Sequence, residues 1–163
     1  CIRDRYVGGS EEAFVNMMNR RAQELMANGT HFMNPHGLHD DNHYTTAYDL
    51  YLIFNECIKH EDFVNIIQSE AYTAYYTDVD GNSQEALFTP TNLYAQGEVD
   101  VPENVTIVGG KTGTTDEAGY CLILMEKDSS DNPYISIVMG ASEKPVLYED
   151  MTSLIEAIPS GQQ

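Results

Sequence analysis

Apolar residues recur every three or four positions in three stretches of the chain, and this spacing predicts three amphipathic helices. The first follows Ser10, a good N-cap residue, and ends near Asn28-Gly29. The second follows Thr46 and the third covers residues 146–158, with a shorter helix expected over 62–68. The second has apolar residues at i, i+3, i+4, i+7 and i+8: Leu50, Ile53, Phe54, Cys57 and Ile58.

Other stretches are typical of β-strands joined by turns. Residues 71–77 and 84–88 flank Asp80-Gly81 and predict a hairpin. Strands are also predicted over 107–115, 120–126 and 134–140. The middle one is apolar on both faces, as a central strand should be. Residues 30–44 and 89–104 lack periodicity and are predicted as irregular. The pattern predicts an α+β fold with one antiparallel sheet flanked by helices.

Composition and charge exclude several classes of function. The chain has 163 residues, of which 26 are acidic and 8 basic, for a net charge of −18. Long-range repulsion from phosphates disfavours a nucleic-acid partner and an anionic membrane surface. No apolar run approaches the length of a membrane span. Of the three cysteines, Cys57 and Cys121 fall in apolar stretches and are predicted as small buried residues rather than a disulfide framework.

The tripeptide Lys111-Thr112-Gly113 is the feature of the sequence that suggests chemistry most directly. A lysine ammonium attracts a carboxylate, a threonine hydroxyl can donate a hydrogen bond to it, and a glycine lets a peptide lie close to the strand. K-T-G is one of three motifs shared by penicillin-binding proteins and class A β-lactamases. Considered without its surroundings, the tripeptide could equally be the start of a strand with a surface lysine.

Four blocks of sequence carry a resemblance that covers most of the chain. They are GSEEAFVNMMNRRAQEL, THFMNPHGL, HYTTAYDL and GGKTGTTDEAGYCL, in that order. Together they resemble the D-alanyl-D-alanine carboxypeptidases, the low-molecular-mass penicillin-binding proteins of serine peptidase family S11. The resemblance implies a penicillin-binding protein or serine β-lactamase-like domain, with an antiparallel sheet flanked by helices.

The resemblance also implies a reaction, a substrate and a location. In this family a serine attacks the terminal D-Ala-D-Ala bond of a peptidoglycan stem peptide, D-alanine leaves, and water hydrolyses the acyl-enzyme. β-Lactams inhibit by acylating the same serine, and neither a metal nor an organic cofactor takes part. The expected location is the extracellular side or cell envelope of a bacterium, and any membrane anchor is expected in segments outside this sequence.

Site residues follow from the resemblance position by position. Lys111 would lie beside the substrate carboxylate, Thr112 would donate a hydrogen bond to it, and Gly113 would allow close approach. Thr114 would offer its backbone N–H as half of an oxyanion hole. His36, in NPHGL, would border the site on a loop.

Two departures from the family pattern stand out. No serine in the chain has a lysine three residues later, and the S-x-x-K and S-x-N motifs are expected upstream of Cys1. The sequence is therefore expected to be one partial domain over 1–163, the C-terminal part of a catalytic domain, inactive alone. Many members also carry an arginine before K-T-G that helps to bind the carboxylate, where this chain has FTPTNLY, with Thr91 and Asn92.

Alternatives to this interpretation remain open on the sequence. The chain could be a non-catalytic relic that binds cell-wall peptide through Lys111 and Thr112, or a β-lactamase-like hydrolase, although NPHGL and AGYCL favour the carboxypeptidases. The loop histidines could hold a metal, but their spacing fits no common template. The tyrosines of 71–77 could stack on sugars, but a half-buried sheet face is the expectation.

Overall fold

A computed structural model describes residues 2–159, and Cys1, the upstream end of the expected partial domain, lies outside them. Six helices occur among the described residues: α1 (Ile2–Gly8), α2 (Glu11–Glu24), α3 (Ala47–Cys57), α4 (Glu61–Ile67), α5 (Leu93–Gln96) and α6 (Lys144–Glu156). Five strands accompany them: β1 (Tyr72–Thr77), β2 (Ser83–Phe88), β3 (Val105–Thr115), β4 (Gly119–Asp128) and β5 (Pro133–Ala141). The predicted α+β class is confirmed.

The strands form two antiparallel sheets, so the prediction of one sheet is wrong. β1 and β2 pair only with each other, whereas β3, β4 and β5 form a three-stranded sheet in that order. β4 is central, as its apolar residues predicted. Residues 89–104, which contain the helical turn α5, separate β2 from β3 along the chain.

The core lies between the three-stranded sheet and α6. Leu122 and Leu124 of β4 lie on the strand face that points toward α6, and they belong to the same core cluster as Met151 and Ile155 of that helix. All four side chains are 0–2% exposed. Complete burial of such a side chain stabilises the fold by roughly 2 kcal/mol before entropic costs. α6 therefore fixes β4, and β4 fixes the register of β3.

Both predicted helix caps are present. The Ser10 hydroxyl accepts a hydrogen bond from the Ala13 N–H, and the Thr46 hydroxyl accepts one from the Asp49 N–H. The buried Asp49 carboxylate accepts from Thr30, 2.7 Å away, which ties α3 to the start of the loop that precedes it.

The first predicted helix ends earlier than its sequence signal. α2 stops at Glu24 because Met26 takes a left-handed conformation, φ 63°, well before Asn28-Gly29. A non-glycine residue in that conformation is uncommon, and no residue type near Met26 signals that the helix stops there.

The segment predicted as irregular contains a single helical turn, α5. The Asn92 side chain caps it by accepting from the Tyr94 N–H, and Gly97 ends it at φ 72°. Four residues are too few to show helical periodicity, which is why the pattern missed this element.

Two burial expectations are wrong. Tyr72, Tyr75 and Tyr76 are 65, 78 and 53% exposed, because among the described strands the β1–β2 hairpin forms a sheet of its own rather than joining the packed three-stranded sheet. Cys57 and Cys121 are partly exposed free thiols rather than fully buried side chains. Within residues 2–159, no helix combines the length and apolar character that crossing a bilayer requires.

Candidate active site on the edge strand β3

The K-T-G tripeptide lies in the second half of β3. Lys111 pairs with Ile123, Thr112 with Leu122 and Gly113 with Cys121 on β4. Among the described strands β3 has no partner on its other side, so alternate backbone N–H and C=O groups there point away from the sheet. An extended peptide could therefore pair with this edge.

Glycines along β3 serve two different purposes. A Cβ at Gly109 would lie 2.2 Å from the Ile67 carbonyl oxygen at the end of α4, and one at Gly110 would lie 2.1 Å from the Ile123 oxygen. These two glycines are required by packing. A Cβ at Gly113, in contrast, would meet nothing within 4 Å. Gly113 therefore faces open space on the strand.

The Lys111 side chain folds back along the strand. Its ammonium donates a hydrogen bond to the Thr112 carbonyl oxygen, and the side chain is exposed. Successive side chains of a strand point to opposite faces, so the Lys111 and Thr112 side chains start out on different sides of β3. The hydrogen bond to the Thr112 carbonyl oxygen is what brings the Lys111 ammonium next to Thr112. Lys111 is also the only Lys or Arg in the sequence between Lys59 and Lys127.

The Thr112 hydroxyl has a second hydroxyl beside it. Thr91 Oγ1 lies 2.5 Å from Thr112 Oγ1, and either atom can be the donor. Thr91 belongs to the segment between β2 and α5, and its side chain is exposed. One cation and two hydroxyls thus lie together at the open edge of β3.

The turn after K-T-G is held by its own hydrogen bonds. Thr115 Oγ1 accepts from the Ala118 N–H, 3.0 Å away. Gly119 has φ 65°, and a Cβ there would lie 2.6 Å from the Ala141 oxygen, so only glycine fits. Thr114, between the motif and the turn, is exposed at the end of the edge strand.

The loop that precedes α3 reaches this turn through His39 rather than through His36. His39 Nδ1 lies 3.9 Å from a Glu117 carboxylate oxygen, and His39 Nε2 lies 3.2 Å from Asp41. His36, the expected site residue, contacts Glu11 at 3.8 Å and accepts from the Leu38 N–H. Its contacts therefore lie on the α2 side of the loop.

Other ring nitrogens of the loop are engaged in local hydrogen bonds. His31 Nδ1 lies 2.6 Å from the Asn42 carbonyl oxygen, and His43 Nδ1 accepts from the Met33 N–H. Burial lowers the pKa of His43, although Asp40 partly opposes this shift, and a neutral ring fits its role as acceptor. No three His, Cys, Asp or Glu side chains within residues 2–159 are placed to hold a metal ion.

The K-T-G motif is recognisable in the sequence, whereas the residues that contact it and the turn after it are not. The Thr91–Thr112 and His39–Glu117 pairs join residues far apart in the chain, 21 positions in the first case, and no periodicity or spacing signals them. The one hint was that Thr91 occupies the stretch in which an arginine was expected.

Known proteins similar to this chain were identified by sequence and by structure. Residues 4–143 match the model of the family described as D-alanyl-D-alanine carboxypeptidase, peptidase S11. The Bacillus subtilis D-alanyl-D-alanine carboxypeptidase DacF is 31% identical over 151 residues, which is 93% of this chain and 36% of that protein. The Escherichia coli enzyme DacC is 28% identical over 150 residues, covering 92% of this chain and 34% of that protein.

Solved structures give the same fold. The Streptomyces K15 DD-transpeptidase superposes with a TM-score of 0.78 at 25% identity, over 89% of this chain and 53% of that one. The Francisella tularensis carboxypeptidase DacD, 22% identical, superposes with a TM-score of 0.77 over 93% of this chain and 46% of its own. The chain therefore has the penicillin-binding protein fold, and spans about a third of the length of the curated relatives and about half of these structures.

Proposed function

The chain belongs to the D-alanyl-D-alanine carboxypeptidase family, and we propose that it is the C-terminal part of the catalytic domain of a serine-type D-Ala-D-Ala carboxypeptidase. The observation that carries the proposal is the placement of Lys111, Thr112 and Gly113 on an open strand edge. A cation, a hydroxyl pair and free space beside a glycine together suit an extended peptide that ends in a carboxylate.

The substrate in this proposal is the D-Ala-D-Ala end of a peptidoglycan stem peptide. Lys111 attracts the terminal carboxylate, Thr112 donates a hydrogen bond to it, and Gly113 allows the peptide to approach. The Thr114 N–H contributes half of an oxyanion hole, at the end of the edge strand. His36 has a weaker place in this scheme, because its contacts are with Glu11 and Leu38.

The nucleophile in this proposal lies outside the 163 residues. None of the serines in the sequence is followed by a lysine three positions later, and such a lysine is the base of an S-x-x-K serine. The seryl oxygen would attack the penultimate carbonyl, D-alanine would leave, and water would release the shortened peptide. The chain alone is then inactive, and it is one partial domain rather than a complete one.

The proposal extends to inhibitors and location. β-Lactams carry a carboxylate and a strained amide, and would acylate the same serine in the complete protein. Because stem peptides are found in the bacterial cell envelope, the complete protein would act there.

Acylation by a penicillin tests the proposal. We expect the full-length protein encoded by the gene to gain one penicillin per molecule by intact mass, whereas residues 1–163 expressed alone gain none. A stoichiometric mass increase on the 163-residue chain would refute the placement of the nucleophile. Absence of acylation in the full-length protein, together with tight reversible binding of a D-Ala-D-Ala peptide, would favour a cell-wall-peptide binding relic instead.

A further inference from the structure

The hydroxyl pair at the open edge of β3 suggests a role for a residue outside the K-T-G motif. We propose that Thr91 is a positioning residue, which orients the Thr112 hydroxyl so that its proton points toward the substrate carboxylate. This inference rests on the proposed function and adds a residue to the carboxylate site.

The direction of the hydrogen bond follows from what each group can do. Thr91 Oγ1 and Thr112 Oγ1 are 2.5 Å apart, and each hydroxyl has one proton to donate. If Thr112 donated to Thr91, its proton would not be available to a ligand. A carboxylate only accepts, so a bound carboxylate selects the arrangement in which Thr91 donates to Thr112 and Thr112 donates to the carboxylate. Consecutive hydrogen bonds, here from Thr91 to Thr112 and from Thr112 to the carboxylate, strengthen one another.

Thr91 is held from both sides, as a positioning residue must be. The Pro90 carbonyl oxygen accepts from the Gln96 side chain, 2.7 Å away. The next residue, Asn92, is buried and caps α5 through the Tyr94 N–H. These bonds close the ends of the segment around Thr91 and limit the places that its hydroxyl can occupy.

α5 is in turn fixed to α6 in the core. The Leu93 N–H donates to the Tyr148 hydroxyl at 2.9 Å, and the Tyr94 hydroxyl lies 2.7 Å from Thr152 Oγ1. The rings of Tyr94 and Tyr148 pack edge to face with centroids 5.4 Å apart. The rigid core thereby sets the position of Thr91 relative to β3.

The scarcity of positive charge around the K-T-G motif is the reason that the paired hydroxyls of Thr91 and Thr112 matter for binding a carboxylate. Between Lys59 and Lys127 the sequence contains a single cation, Lys111, and its ammonium already donates to the Thr112 carbonyl. Asp116 and Glu117 follow the motif closely and repel a carboxylate. The stretch between Lys59 and Lys127 therefore offers no second cation to the carboxylate. A Thr112 hydroxyl that Thr91 has already oriented toward the carboxylate adds to the attraction of Lys111.

The test compares two substrates in the full-length protein: an acylated peptide ending in D-Ala-D-Ala as a free acid, and the same peptide as a C-terminal carboxamide. Thr91→Val keeps the size of the side chain and removes the hydroxyl, whereas Thr91→Ser keeps the hydroxyl. We expect Thr91→Val to lower kcat/KM for the acid about tenfold and to leave the carboxamide within about twofold. Thr91→Ser should stay close to the wild type.

A double-mutant cycle separates a relay through Thr112 from direct contact with the substrate. In a Thr112→Val background, Thr91→Val should cause no further loss, because the hydroxyl it orients is gone. Because Thr91 is exposed, the variants should melt at the wild-type temperature, which is measured alongside.

The other outcomes overturn the inference in distinguishable ways. An unchanged kcat/KM for the acid in Thr91→Val would show that Thr91 is a bystander. An equal loss on both substrates would indicate a general structural effect. A wild-type protein that neither cleaves the acid nor reacts with penicillin would overturn the proposed function, and this inference with it.

Discussion

Glu126 is a carboxylic acid in the middle of a hydrophobic core. It is fully buried on the same face of β4 as Leu122 and Leu124, and neither of its oxygens accepts a hydrogen bond of ordinary length within residues 2–159. Burial raises its pKa from 4.5 to about 7, and the nearby Ser136 hydroxyl and backbone N–H groups offset this only partly. The folded protein therefore favours the protonated acid.

The raised pKa makes stability depend on pH. The pKa of Glu126 is higher in the folded than in the unfolded protein. The contribution of the protonated Glu126 to the free energy of unfolding is therefore complete below pH 4.5 and is lost as the pH rises to about 7. Above that pH the ionised group costs about 3 kcal/mol. In the full-length protein we expect Glu126→Gln to raise the melting temperature at pH 8 relative to wild type, with little gain at pH 4.5.

Glu85→Gln is the matched control for that experiment, because Glu85 is exposed on β2. It should leave the melting temperature unchanged at both pH values. An equal gain from Glu126→Gln at pH 4.5 and pH 8 would argue against ionisation as the cause.

At the scale of the element, β3 combines a packed half with an open half. Gly109 lies against the carbonyl of Ile67 at the end of α4, whereas Gly113 has free space beside it. Packing fixes the first half, and the second half is left available for a ligand. The same residue type therefore serves stability at one position and, in our proposal, substrate approach at the other.

Alanine substitutions at these two glycines should separate the two roles. Gly109→Ala forces a backbone shift and should lower the free energy of unfolding by roughly 2 kcal/mol or more. Gly113→Ala should change it by less than about 1 kcal/mol, yet lower kcat/KM on a D-Ala-D-Ala peptide on the order of a hundredfold by displacing the substrate. Urea unfolding and steady-state kinetics of the full-length protein measure both; strong destabilisation by Gly113→Ala would refute the assignment.

Elements with long, regular patterns could be predicted from the sequence, and those set by local geometry could not. The Ser10 and Thr46 caps and the central position of β4 followed directly from residue type and periodicity. α5 was missed because a single turn has no periodicity. The early stop of α2 depends on the left-handed Met26, a conformation that this residue type does not signal.

The candidate site also contains one part that the sequence predicts and one part that only the structure shows. K-T-G was recognisable because its three residues are adjacent in sequence. The contact between Thr91 and Thr112 depends on how α5 packs against α6 through Tyr94 and Tyr148, and this becomes visible only in three dimensions.

At the scale of the molecule, the apolar surface is distributed unevenly. The α6 side of the three-stranded sheet is well covered, whereas Ile2 and Tyr6 of α1 are 89 and 90% exposed. The chain spans about a third of the length of curated relatives such as DacF and DacC. In our proposal the remainder of the catalytic domain supplies the serine and completes the cleft opposite β3.

Release of D-alanine by the full-length protein is the decisive measurement of whether Lys111 binds the substrate carboxylate. The substrate is a peptide ending in D-Ala-D-Ala, and the variants are Lys111→Ala and, as a control, Lys127→Ala, a lysine of β4 that pairs with Asp131. We expect release by the wild type and by Lys127→Ala, and a loss in kcat/KM of about a hundredfold or more for Lys111→Ala. Undiminished release by Lys111→Ala would contradict the claim that this edge of β3 is the carboxylate-binding wall of the active site.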